Sequence, residues 1–223
     1  MNFLELCQRT RQECGIQGEG PASVTNQTGL LKRVINWVAD ADNLVQSLHP
    51  DWNFLWREFT ENTIAGVDTI VKPNDLGLWD RESFATGRGT VDGRPITCIT
   101  YNEWRKINNS KSQQAPSLIC VLPNGNLSFT YPPDDVYPFY GNYWASPVAL
   151  TTNTQESAIP TRFERIIVAR AKMWFFEDIE SYDQKKLAED EYEKELAVLE
   201  KAEIPDNGIY GQHSPEQLVV RPA

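Results

Sequence analysis

The residues able to do chemistry are few, and their spacing argues against most of it. The chain of 223 residues holds two histidines, His49 and His213, and four cysteines, Cys7, Cys14, Cys98 and Cys120. No two cysteines stand as Cys-x-x-Cys and the histidines lie far from them, so the close ligand pairs of a zinc site are missing. Cys7 and Cys14 sit two helical turns apart, which predicts two core thiols on one helix face. A serine or cysteine nucleophile would need one of the histidines as its base. His49 precedes Pro50 at a predicted helix end, however, and His213 lies among prolines. No Gly-x-Ser-x-Gly, His-Glu-x-x-His or P-loop pattern is present. "TGRGTVDG" is glycine-rich like a phosphate loop, but no helix follows it. The pairs Asp134–Asp135 and Asp40/Asp42 have the residue types of a glycosidase acid and base. Among 31 acidic residues such neighbours arise by chance. The expectation is a protein that is not an enzyme, with no metal site and no cofactor.

Recognition is the chemistry that remains. Trp79, Trp104, Tyr131, Tyr137, Tyr140, Tyr143 and Trp144 could form the platform of a carbohydrate-binding module. Core packing and interface contacts account for the same residues equally well. Net charge is −10, against the basic patch of a protein that grips phosphates. Residues 177 to 203 hold eleven acidic residues and four lysines, a net −7, so most of the excess lies in one segment. Such a run is either a solvated helix face or a face set beside a polyanion or a basic partner. No window approaches the roughly 20 apolar residues of a membrane span. The N-terminus lacks a basic region followed by an apolar run, so a chain made and kept in a cytoplasm is expected.

The elements that would position these residues are legible from period and punctuation. Residues 2 to 14 read as a helix, with Asn2 as cap, Glu5 completing a capping box and Gly15 stopping it. Residues 28 to 48 carry Leu31, Val34, Ile35, Val38, Ala41, Leu44, Val45 and Leu48 at helical spacing. From 57 to 150 that period disappears. "TIAGVDTIV", "RPITCITY", "SLICVL", "LSFTYP" and "VYPFYGNYWASPVAL" read as strands of an inserted antiparallel β domain. "VLPNGNLSF" is its clearest hairpin, turning on Asn124-Gly125, "YNEWRKINNS" holds one helical turn, and "KSQQAP" is an exposed loop tip. Helical pattern returns after Pro160, with Phe163, Ile166, Ile167, Ala171, Trp174 and Phe175 as a broad stripe. The phase slips at Ser181-Tyr182-Asp183, where Asp183 can cap a second helix. Ala188, Tyr192, Leu196 and Leu199 line that helix, and Asp190 and Lys194 can pair along it.

The expected fold is α+β: a helical bundle of N-terminal helices plus a C-terminal helical hairpin (1–56 and 151–203), an inserted antiparallel β domain (57–150) and an extended tail (204–223). Trp37, Val38, Phe163, Ile167 and Trp174 are expected at the bundle's centre or its subunit contacts. The tail carries two apolar clusters, Ile209-Tyr210 and Leu218-Val219-Val220, suited to docking on a partner or a neighbouring copy.

Three segments taken together, "FLELCQRTRQECGI", "VTNQTGLLKRVINWVADA" and "IPTRFERIIVARAKMWFFEDIE…YDQKKLAEDEYEKELAVLE", resemble the head-to-tail adaptor (connector) proteins of tailed bacteriophages, the SU10-type podophage family in particular. The likeness covers about the first 50 residues and the C-terminal hairpin, and the order and spacing of the blocks carry it. It implies a virion structural protein at the head–tail junction. Its partners would be the portal protein, a tail nozzle or tail-tube protein and further copies of itself in a ring, commonly a dodecamer. Genome DNA would pass through the lumen without specific binding, and no membrane would be involved. Two alternatives from other classes are a carbohydrate-binding virion or cell-surface module and a tail-associated hydrolase.

Overall fold

A computed structural model describes residues 1–87, 93–107 and 112–204. The described residues form two compact units, one drawn from Met1–Val45, Asp51–Phe54 and the chain from Ala149 on, the other from Gln46–Pro50 and Leu55–Val148.

The first unit is helical. Helix α1 (Phe3–Glu13) begins at the capping box read from the sequence. The Glu5 amide donates to Asn2 Oδ1 at 2.9 Å, and the Asn2 amide donates to Glu5 Oε2 at 2.9 Å. Phe3, Leu6 and Cys7 are buried on its inner side. Helix α2 (Gly29–Leu48) buries Val34, Ile35, Val38, Ala41 and Val45, the apolar period that predicted it. A 3-10 turn (Thr161–Phe163) leads into helix α4 (Arg165–Asp178), which follows the short helix α3 (Tyr101–Ile107) of the other unit along the chain. Helix α4 buries Ile166, Ile167, Val168, Ala169, Ala171, Met173 and Phe175. At roughly 1.5–3 kcal/mol for each large apolar side chain, this helix supplies much of the unit's stability.

The break between α4 and helix α5 (Tyr182–Glu203) has a definite form. The Ser181 amide donates to Phe176 O at 2.8 Å and the Glu180 amide to Glu177 O at 3.1 Å. This is the paired pattern of a Schellman motif, with Glu180 in the left-handed region at φ 56° where glycine is usual. The cap of α5 is Ser181, not Asp183. The Schellman turn ends α4 so tightly that Asp183 already lies inside the next helix. Ala188 and Leu199 face inward, with Tyr192 and Leu196 half-buried beside them.

The described residues of the second unit form two four-stranded sheets. One runs β1 (Trp56–Asn62), β8 (Pro138–Ala145), β3 (Leu76–Thr86), β4 (Arg94–Pro95), all antiparallel. The other runs β2 (Thr69–Ile70), β7 (Leu127–Phe129), β6 (Leu118–Val121), β5 (Thr97–Ile99). Here β5 and β6 are parallel, so the expected antiparallel domain is in fact mixed. The connection between them carries helix α3 (Tyr101–Ile107), longer than the single turn expected, which is what lets the chain return in the same direction. The predicted strand "TIAGVDTIV" pairs over Thr69–Ile70 alone.

In β8, Phe139, Gly141, Tyr143 and Ala145 are buried while the residues between them are not, the period of two that marks a strand with one covered face. A Cβ on Gly141 would come within 2.8 Å of the Phe84 ring, so glycine is required for that ring to lie across the strand. The hairpin turns on Asn124-Gly125 as read, with Gly125 at φ 86°. Ile70, Trp79, Phe84, Ile96, Ile119, Leu127, Phe129 and Phe139 form the core of this unit.

Candidate functional site

The residues singled out for chemistry are occupied with structure. Cys7 and Cys14 are buried, and burial pushes both thiols up to about 12, where they are inert. Asp42 is fully buried and accepts a hydrogen bond from the Ser157 hydroxyl. Asp134 accepts from the Tyr137 hydroxyl at 2.8 Å, and Asp135 accepts from the Val136 amide at 2.7 Å. Asp40 is exposed. Among the described residues no group of three or more His, Cys, Asp and Glu side chains is placed to hold a metal ion. No described helix is long and apolar enough to cross a membrane. "TGRGTVDG" runs largely through positions 88–92, outside the described residues, as do His213 and the tail residues Ile209, Tyr210, Leu218, Val219 and Val220.

The seven aromatics do not share one environment, and Tyr131, Tyr137, Tyr140 and Trp144 are half-buried. Trp79 and Tyr143 are buried in the β core, where the Trp79 indole donates to Gly125 O at 2.8 Å and the Tyr143 hydroxyl to Asp75 at 2.9 Å. Trp104 is half-buried and stacked on Tyr101 at 5.7 Å, both on α3.

In the helical unit, Val38, Phe163 and Ile167 are buried, whereas Trp37 and Trp174 are half-buried. Each of these tryptophans carries an arginine from one turn earlier in its helix. The Arg33 guanidinium lies 5.6 Å from the centre of the Trp37 ring, and that of Arg170 lies 4.7 Å from the centre of Trp174. Arg33 also pairs with Asp178 at the end of α4, and Trp37 meets Phe175 edge-on at 6.2 Å. Arg170 is different. It sits 5.5 Å from the Tyr192 ring of α5 as well, has no ion-pair partner among the described residues, and its buried Nε makes no hydrogen bond there. The i,i+4 spacing of Arg170 and Trp174 was visible in the sequence, but the approach of Tyr192 from another helix was not.

Ion pairs fasten the other flank of the hairpin. Lys172 reaches Glu191 at 2.8 Å and Glu13 of α1 at 3.1 Å, while Arg165 reaches Glu191 at 2.7 Å and Glu195 at 3.8 Å. Burial alone would raise the Glu191 carboxyl, but hydrogen bonds from Lys172 and Arg165 hold it below its ordinary 4.5. Arg162 pairs with Glu203 and Lys185 with Glu177. More of the acidic run is therefore partnered than its composition indicated. Asp183, Glu189, Asp190 and Glu193 remain exposed with no ion pair among the described residues. Close by on α5, Tyr182, Leu187 and Val198 are more than half exposed, at 69%, 61% and 55%.

The arrangement has the residue types of a binding surface. Half-buried Trp, Tyr and Arg are the side chains that dominate protein interfaces. None of the curated proteins compared matches the chain. The sequence profile of the SU10 adaptor protein family matches residues 1–213, a span that takes in every described residue of both units. By that match the chain belongs to the SU10 adaptor protein family and is a structural adaptor of a bacteriophage.

Proposed function

We propose that the protein is a head-to-tail adaptor of the virion. Its copies form a ring, taken as a dodecamer, between the portal protein and the tail nozzle or tail-tube protein, continuing the channel through which the genome leaves. The ring is built in the host cytoplasm. In this reading the helical domain (1–56 and 151–203) binds its neighbours and the portal. The inserted domain (57–150) meets adjacent adaptors and the next tail component, and residues 204–223 dock on a partner. The observation that carries the reading is the family match, which extends through both units.

Two physical features support it. Half-buried Trp, Tyr and Arg side chains of the kind common at protein interfaces lie together on the helical hairpin. The excess negative charge, concentrated between residues 177 and 203, suits a protein that stands beside DNA without holding it, because walls poor in cations make few lasting phosphate contacts. The test is to image purified particles with an antibody to this chain and to ask whether the portal protein co-purifies with it. Label at the portal vertex together with portal recovery is expected. A chain found at the tail fibres, or absent from particles, would refute the proposal.

A further inference from the structure

We infer that Arg170, Trp174 and Tyr192 form a receptor for carboxylates on the outer face of α5 of a neighbouring copy, joining adjacent subunits head to tail along the helical hairpin. The inference rests on the ring proposed above and names the contact that closes it.

Copies that each carry −10 repel one another, so association needs cations placed where they meet the partner's acids. Most arginines of the hairpin are already spent within the subunit, Arg162 on Glu203 and Arg165 on Glu191 and Glu195. Arg170 is not. Its guanidinium lies 4.7 Å from the Trp174 ring centre and 5.5 Å from that of Tyr192, Nη1 faces Met173 Sδ at 3.5 Å, and the buried Nε has no partner among the described residues. Contact with two rings restricts the side chain before any partner arrives, and Nη2 makes no hydrogen bond among the described residues, so it is left for a carboxylate. Preorganisation of this kind lowers the entropy lost on binding.

The complementary surface is on the same hairpin. Asp190 and Glu193 are exposed, have no ion pair among the described residues, and at 100° per residue lie on the side of α5 opposite Ala188 and Leu199, which face inward. Receptor and acids thus occupy different faces of one hairpin. A patch that pairs with a different patch gives a heterologous contact, and repetition of such a contact yields a ring or a filament, not a two-fold dimer.

The test uses the full chain in particles. Glu177, one turn beyond Trp174 on α4 and 57% exposed, is changed with Asp190 to give E177C/D190C, which leaves the receptor intact. Oxidation of particles should link this chain into multimers larger than dimers, while neither single-cysteine chain extends beyond a dimer. In parallel, Arg170→Glu should abolish incorporation into the ring, and R170E/D190R/E193R, with the charges exchanged, should restore it. Melting of each purified variant separates lost contact from lost fold. If E177C/D190C enters particles but stays unlinked, or if folded Arg170→Glu is incorporated normally, the contact is wrong while the ring reading stands. If the unaltered chain is absent from the vertex, the ring reading fails and takes the contact with it.

Discussion

Ile167 and Trp174 belong to the same apolar stripe of α4, yet the structure gives them different weights. Ile167 is fully buried, so Ile167→Ala is expected to cost about 3–4 kcal/mol by lost transfer energy and a cavity. Trp174 is half-buried under Arg170, and Trp174→Ala should cost only about 2 kcal/mol, part of it the cation–π contact. Denaturant melts of both variants check the order, and an equal loss would show that Trp174 is a core residue after all. The thiols carry a second expectation. Burial raises Cys7 and Cys14 from 9.0 to about 12. Below pH 9 both folded and unfolded states keep these protons, so the thiols add no pH dependence. Above it the unfolded chain loses them first, and stability should fall toward pH 12, by up to about 1.4 kcal/mol per unit for each thiol. Replacing both with alanine should flatten the stability profile between pH 9 and 11, and an unchanged slope would assign the loss to other groups.

At the scale of elements, the hairpin of α4 and α5 depends on a turn and on an ion-pair cluster. Glu180 holds a left-handed φ of 56°, which costs a non-glycine residue about 1–2 kcal/mol. Glu180→Gly removes that cost but adds freedom to the unfolded chain, leaving a net gain of about 0.5 kcal/mol. Glu180→Val should instead destabilise, and a thermal melt of the pair distinguishes a strained turn from a relaxed one. Lys172 ties α1, α4 and α5 through Glu13 and Glu191. All three side chains are partly exposed, so Lys172→Met should cost about 1–2 kcal/mol, between the values for surface and buried pairs. Both carboxyls titrate below their ordinary 4.5, so their contribution is present above that pH and is lost as pH falls through the lowered folded value. The penalty of Lys172→Met should therefore be full at pH 7 and shrink toward pH 3, and a penalty that persists in acid would point to packing by the lysine stem.

For the whole molecule, the acidic run and the segment beyond it matter most. Residues 204 to 223 can span about 65 Å when extended, enough to leave one subunit and cross its neighbour. Their prolines oppose helix, and their apolar clusters suit a groove or a sheet edge on a partner. Truncation after Glu203 should leave the melting temperature of the purified protein nearly unchanged while heads lose DNA or fail to attach tails. Normal particles from the truncated chain would show that the segment is dispensable.

By itself the sequence determined the local features, because each depends on neighbours in the chain. The capping box at Asn2 and Glu5, the apolar period of α2, the Asn124-Gly125 turn and the inward stripe of Ala188, Tyr192, Leu196 and Leu199 all follow from spacings of two to four residues. The order of three helical blocks was enough to indicate the family. Tertiary structure decided whatever depends on partners distant in sequence. The parallel pairing of β5 and β6 is set by strands some twenty residues apart, and no alternation pattern reports its direction. Burial of Trp79 and Tyr143, which removes them from any ligand platform, comes from two sheets closing on each other. Arg170 is a plain helical arginine until Tyr192, twenty-two positions on, folds back over it. Side-chain type and period say which face of an element is covered; only the packed chain says by what, and so which charges are left for a partner.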